Sequence, residues 1–253
     1  MTDVDVPESH PRYDSLLLRH RLEEGVETGI TSKQGLIAQG RGEAFDYLLG
    51  ERTIPSADAA ERAATAHLLR ADHAVLSVNG NVAALAPEET VELADATGAA
   101  LEVNLFNRTE ERMERIADHL RDHGAEGVLG LVADDRIPGL DHERAKVEAD
   151  GIGNADVVLV PLEDGDRAEA LAETGKTELV IDLNPMTRSA RTATVPIVDN
   201  LIRALPNMTD HARALADADA AELDAIVEGF DADAALEAAE RAIRDTESVG
   251  ADQ

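Results

Sequence analysis

Short apolar runs recur along the middle of this chain, each followed by a longer stretch of helical periodicity. Val75–Val78, Leu101–Phe106, Val128–Val132, Val157–Pro161, Val180–Leu183 and Val195–Val198 read as six buried strands. The stretches between them read as helices. Glu88–Thr97 is bracketed by Pro87 and Gly98, and Arg167–Glu173 ends at Gly175. Thr109 caps a further helix with Met113, Ile116, Ala117 and Leu120 on one face. Alternation at this spacing predicts an α/β fold: a Rossmann-like, doubly wound, mainly parallel sheet with right-handed crossovers.

Both ends predict helical extensions. Tyr13–Gly29 carries a stripe of Leu16, Leu17, Leu18, Leu22 and Val26. Ile30–Leu49 is mostly helical, with Gly35, Gly40 and Gly42 interrupting it. Glycine is costly in a helix interior, so these positions point to close backbone approach. Ser56 is the expected N-cap of Ala57–Ala71. From Thr209 onward the chain is acidic and Ala-rich, and reads as two surface helices split near Gly229. A single domain over residues 1–253 is expected, with a helical segment 1–72, a core 73–206 and acidic helices 207–253.

Composition narrows the function. The chain has 253 residues, 43% hydrophobic content and a formal charge of −29. Lys33, Lys146 and Lys176 are its three lysines, so 20 of its 23 cations are Arg. A lysine-poor, carboxylate-rich surface reads as adaptation to high salt, where self-repulsion is screened. The charge argues against binding nucleic acid. No cysteine means no disulfide and no thiolate chemistry. No apolar run approaches a membrane span and the N-terminus lacks a signal-like apolar segment, so a cytoplasmic protein without membrane partners is expected.

Positive charge is unevenly spread. Residues 10–54 hold six cations against seven acids, whereas 207–253 hold three against thirteen. An anionic substrate is best received in the first of these, with Arg12, Lys33 and the Gly-flanked Arg41 as candidates. Pairing with neighbouring Glu explains Arg21 and Arg52 more simply. Asp182 and Asn184 end one predicted strand, and Asn200 ends the next. In an open α/β sheet that edge binds ligands, and Arg188 and Ser189 suit phosphate oxygens, so this rim reads as a nucleotide site. Glu163 and Asp164 also follow a strand. They read equally as contacts for a hydroxyl, an ammonium or Mg²⁺, and as acids suiting a helix N-terminus. Asn79 and Asn81 suit either an anion or turn geometry. The turn after the first strand, SVNGN, lacks the G-x-G-x-x-G pattern, which disfavours NAD or FAD. His119 and His123 are four apart on a helix, with no third metal ligand in nearby sequence.

Seven blocks carry a resemblance: HPRYDSL (10–16), GLIAQGRGEAFDYLLGE (35–51), SVNGNVAAL (77–85), EVNLFNRT (102–109), IPGL (137–140), ADVVLVPLEDGDR (155–167) and IDLNPMTRSA (181–190). Together they resemble the archaeal 4-phosphopantoate–β-alanine ligase family, also called phosphopantothenate synthetase. The likeness covers roughly His10 to Pro206. It implies a homodimer that joins 4-phosphopantoate to β-alanine using ATP, releasing AMP and diphosphate, through an acyl-adenylate. It also implies ATP contacts at Arg19, Arg41, Asp182, Leu183, Asn184, Arg188, Ser189, Asn200 and Leu201. Mg²⁺ is expected with ATP. The family pattern often has His after GLIA, where this chain has Gln39, so no proton transfer is assigned there. Arg41 and Asn79 are the candidates for direct help to the chemistry. Two rival readings are a nucleotide-dependent oxidoreductase and a non-catalytic nucleotide-binding regulator.

Overall fold

The computed structural model describes residues 7, 9–10, 13–162 and 164–245. Arg12 and Glu163, both substrate candidates, lie outside the described residues. Three helices open the chain: α1 (Tyr13–Glu27), α2 (Lys33–Leu49) and α3 (Pro55–Arg70). Then β1 (Ala74–Val78), α4 (Gly80–Leu85), α5 (Pro87–Thr97), β2 (Ala100–Val103) and α6 (Glu110–Asp122) follow. After α6 come the short strands β3 (Asp135–Arg136) and β4 (Lys146–Val147), paired antiparallel. The core resumes with β5 (Val157–Pro161), α7 (Gly165–Glu173), β6 (Thr177–Asp182), α8 (Arg188–Thr192) and β7 (Val195–Val198). Helices α9 (Leu201–Ala214), α10 (Ala220–Glu228) and α11 (Ala232–Arg244) end it.

The main sheet has five parallel strands in the order β2-β1-β5-β6-β7. Alternate residues of its strands face opposite ways and feed two cores. Leu76, Val78, Leu159, Leu179, Ile181 and Ile197 pack with residues of α1, α3–α6 and α9. Val75, Val158, Val160 and Val180 pack with Ile137, Val147, Ile152 and Leu171. Burying such a side chain contributes roughly 1.5–3 kcal/mol, so this two-sided burial is what holds the strands.

The sixth expected strand, Val128–Val132, is a correction. Only Leu129 bridges to Glu102 there, and Val132 is exposed. Gly130 adopts φ +99°, and a Cβ there would meet the carbonyl oxygen of Val103 at 2.2 Å, so glycine is required on both counts. A left-handed residue at that point ends pairing after one bridge. Ser56 is likewise not a cap: Ile54 is the N-cap residue of α3, and Pro55 opens the helix.

Gly35, Gly40 and Gly42 do not interrupt α2, which runs unbroken. Two of them allow the close approach their presence suggested. A Cβ on Gly35 would stand 2.2 Å from Asn81 Oδ1, and one on Gly42 would stand 2.8 Å from Gln39 Nε2, with Asn200 Nδ2 beyond at 3.5 Å. The C-terminal helices are more than surface cover. Helix α9 packs on α3 and α5, and α11 packs on α2, α3 and β7 with Ala239 buried.

Candidate functional site

Growth of the sheet reverses between β1 and β5. From β1 the chain steps outward to β2; from β5 it steps the other way to β6 and β7. Strand ends diverge at such a point and leave a crevice. Asn79 stands there. Its Nδ2 donates to the Pro161 carbonyl over 2.9 Å, and its Oδ1 accepts from the backbone N–H groups of Asn81 and Val82. One side chain thus starts α4 and ties β1 to β5.

Helix α2 leans over this crevice because Asn81 holds it. The Asn81 Nδ2 donates to the Gly35 carbonyl at 3.0 Å, and the Thr31 hydroxyl donates to Asn81 Oδ1 at 2.5 Å. Between them lies a cleft of about 180 Å³ whose lining includes Arg41, Asn79, Asn81, Phe106, Arg112 and Arg144. Three guanidinium groups line this one small hollow, and guanidinium groups are suited to phosphate and carboxylate oxygens. Arg144 is buried, and its Nη1 meets Asp164 Oδ2 at 3.0 Å. Arg112 donates from Nε and Nη2 to the Ile30 carbonyl. Arg41 is exposed, with Nε on the Ala38 carbonyl at 3.3 Å. Lys33 is exposed at the start of α2.

The β6 end forms a tight turn. Asp182 Oδ1 accepts from the N–H groups of Leu183 and Asn184, and the Thr187 hydroxyl donates to its Oδ2. Burial pushes the Asp182 carboxyl above its ordinary range, opposed by these donors and by Arg41. Asn184 is exposed, while Leu183 and Ser189 are buried. Arg188 lies across the start of α7, where it meets Asp166 at 2.7 Å and Glu169 at 3.3 Å. Asp164 caps α7 by accepting from the Arg167 N–H at 3.1 Å.

The β7 end is a buried polar network. Asn200 Oδ1 accepts from the Ile202 N–H at the start of α9, and its Nδ2 donates to Asp46 on α2 over 3.0 Å. Arg203 Nη2 bridges Asp46 at 2.6 Å and Asp199 at 2.7 Å. The Thr53 hydroxyl donates to Asp199 Oδ2. Leu201 is buried. A second hollow, about 300 Å³, opens between α1 and α2; Arg19 lines it, paired with Glu43, and so does the buried Gln39.

The structure therefore brings Arg41, Asn79 and Asn81 to one cleft. Asp182–Asn184 and Asn200–Leu201 form adjacent strand ends on the same sheet edge. Arg19 and Arg41 line different hollows, and Arg188 lines neither of them. Sequence reading missed Arg112 and Arg144. It also missed the Asp46–Asp199–Arg203 network, whose partners are 157 and 4 residues apart. The i,i+4 pair of Asp199 and Arg203 was open to a local reading, but no local motif signals Asp46, 157 residues away.

A doubly wound α/β sheet with an arginine-lined cleft at its switch point is a scaffold of the kind that small-molecule enzymes use, and its arginines suit anionic ligands. Residues 56–246 match the family model described as phosphopantothenate/pantothenate synthetase, and the chain belongs to that family. A relative from Thermococcus onnurineus, named 4-phosphopantoate--beta-alanine ligase, is 58% identical over 229 residues, covering 90% of this chain and 88% of its own. Proteins of that name from Thermococcus kodakarensis and Methanosarcina mazei are 58% and 59% identical, over 90% and 83% of this chain. The family match extends to residue 246, so α10 and α11 belong to it, beyond the Pro206 limit read from the sequence.

Proposed function

We propose that this chain is an ATP-dependent ligase joining the carboxyl group of 4-phosphopantoate to the amino group of β-alanine. The observation that carries this reading is the arginine-lined cleft at the switch point of a chain 55–59% identical to proteins of that name. The acid carries a phosphate and a carboxylate, and Arg41, Arg112 and Arg144 offer matching donors.

In this reading the carboxylate oxygen attacks the α-phosphorus of ATP, and diphosphate leaves. The β-alanine nitrogen then attacks the acyl carbon, AMP leaves with the bonding pair, and the nitrogen loses a proton as the amide forms. Fixed cations beside the developing charge and positioning of the amine supply the rate. Arg41 lines the cleft and its charge also acts on Asp182, so in this reading it serves both substrates. Mg²⁺ enters with ATP. Asp182 and Asp199 already accept from protein donors, so phosphate oxygens and water hold the metal in this reading.

A homodimer is part of the proposal. Ile37, Arg41 and Leu48 lie along one stripe of α2, and Ile37 is 79% exposed. Covering that stripe with a second copy would enclose Arg41. The test is product analysis. Sustained AMP release is expected only when ATP, 4-phosphopantoate and β-alanine are all present, while ATP and 4-phosphopantoate alone should exchange labelled diphosphate into ATP; ADP as product, or no such exchange, overturns the adenylate route.

A further inference from the structure

Away from both hollows, α3 and α9 bring together three side chains that the ligase chemistry does not use. Asp58 and Glu61 lie three residues apart on α3, and His211 faces them from α9. One ligand atom from each lies within 4.8 Å of the others, and His211 Nε2 is 3.1 Å from Asp58 Oδ1. Donors on one tetrahedral ion stand roughly 3–4 Å apart, so this spacing is close to what a shared ion requires.

Two further observations point to a cation. Glu61 is fully buried, and its Oε1 is sealed from solvent with no hydrogen-bond partner. Its other oxygen accepts from Asn207 Nδ2 at 3.0 Å; that amide also donates to Thr53, which donates to Asp199. Outer partners of this kind fix metal-binding carboxylates. Charge is also unbalanced. Asp46, Asp58, Glu61 and Asp199 share this region with Arg203 as the cation paired to Asp46 and Asp199.

We propose that Asp58, Glu61 and His211 bind one divalent transition cation, Zn²⁺ or Mn²⁺, which clamps α3 to α9. One imidazole and two carboxylates suit these ions better than Mg²⁺. Through Asn207 and Thr53 the ion would brace Asp199 at the end of β7.

The test uses the full chain, stripped with EDTA and then dialysed against Zn²⁺ or Mn²⁺. Metal content and melting temperature are measured. One equivalent should be retained, and the melting temperature should rise. Asp58→Asn and His211→Ala, which alter partly exposed side chains, should lose both effects. The near-isosteric Glu61→Gln should fold and also lose them. His123→Ala should keep both, because the His119–His123 ring pair is the rival site. No retained metal in the parent chain, or the same retention and shift in the Asp58, Glu61 or His211 variants, would overturn the proposal and leave Glu61 as a buried neutral acid.

Discussion

Asn79 reaches across the crevice to Pro161, its Nδ2 donating to that carbonyl over 2.9 Å while its Oδ1 holds the first turn of α4. The two functions separate by substitution. Asn79→Ala removes the cap and the cross-strand bond, each worth about 1 kcal/mol. Asn79→Asp keeps the cap acceptor but places a negative charge beside Arg41 and Arg144. Thermal melting should drop more in the Ala variant. The KM for 4-phosphopantoate should rise more in the Asp variant, and an unchanged KM there would remove Asn79 from the substrate cleft.

The three glycines of α2 should behave differently. At Gly40 a Cβ meets nothing within 4 Å, so Gly40→Ala should stabilise the chain by about 0.5–1 kcal/mol through helix propensity. At Gly35 the added carbon meets Asn81 and Thr31, and a loss of roughly 1–3 kcal/mol is expected from overpacking. Denaturant midpoints of the two variants distinguish these outcomes.

Glu102 makes stability fall with rising pH. Buried in β2, it accepts from the N–H groups of Glu148 and Ile152. Burial still pushes its carboxyl from 4.5 to about 7, against those donors and Arg167. Between these values the unfolded chain has released a proton that the folded chain keeps. The contribution is thus full below about 4.5 and lost by about 7, amounting to about 3 kcal/mol at most. Glu102→Gln leaves one N–H facing an amide and is less stable throughout. Its unfolding free energy should nevertheless change less between pH 5 and pH 8 than that of the parent chain. Equal changes would mean Glu102 is ionised when folded.

Arg41 and Arg19 line separate hollows on α2, so the proposed dimer can be probed by mixing. Arg41→Ala should lower turnover by about 10²-fold or more, as expected for a donor facing transition-state charge. If Arg19 serves the partner's site, Arg19→Ala and Arg41→Ala chains mixed and refolded together should recover activity that neither has alone. No recovery in mixtures verified to contain mixed dimers excludes a shared site.

Much of this architecture was legible because buried strands write themselves as apolar runs. Val157–Pro161 and Val195–Val198 were read with their observed limits. The run Val128–Val132 has similar composition, yet Gly130 turns with φ +99° against the Val103 backbone, where no side chain fits, a constraint set by a neighbour in space. The strand-end residues Asp182, Asn184 and Asn200 were equally visible. What they do locally was not. Asn200 spends its amide on Asp46 and α9, and Arg188 is held by Asp166 and Glu169 about twenty residues earlier. Arg144 was hidden for another reason: it lies in a stretch without periodicity, where no face can be assigned.

That stretch has a wider consequence. The passage from Gly124 to Asn154 is anchored to β2 by Asn104, which donates to the carbonyls of Arg144 and Lys146, and by Glu102. It delivers Arg144 to the cleft without contributing a strand to the main sheet. Selection could lengthen or shorten this excursion, and so admit an acid of different reach or charge, while the five-stranded frame stayed the same.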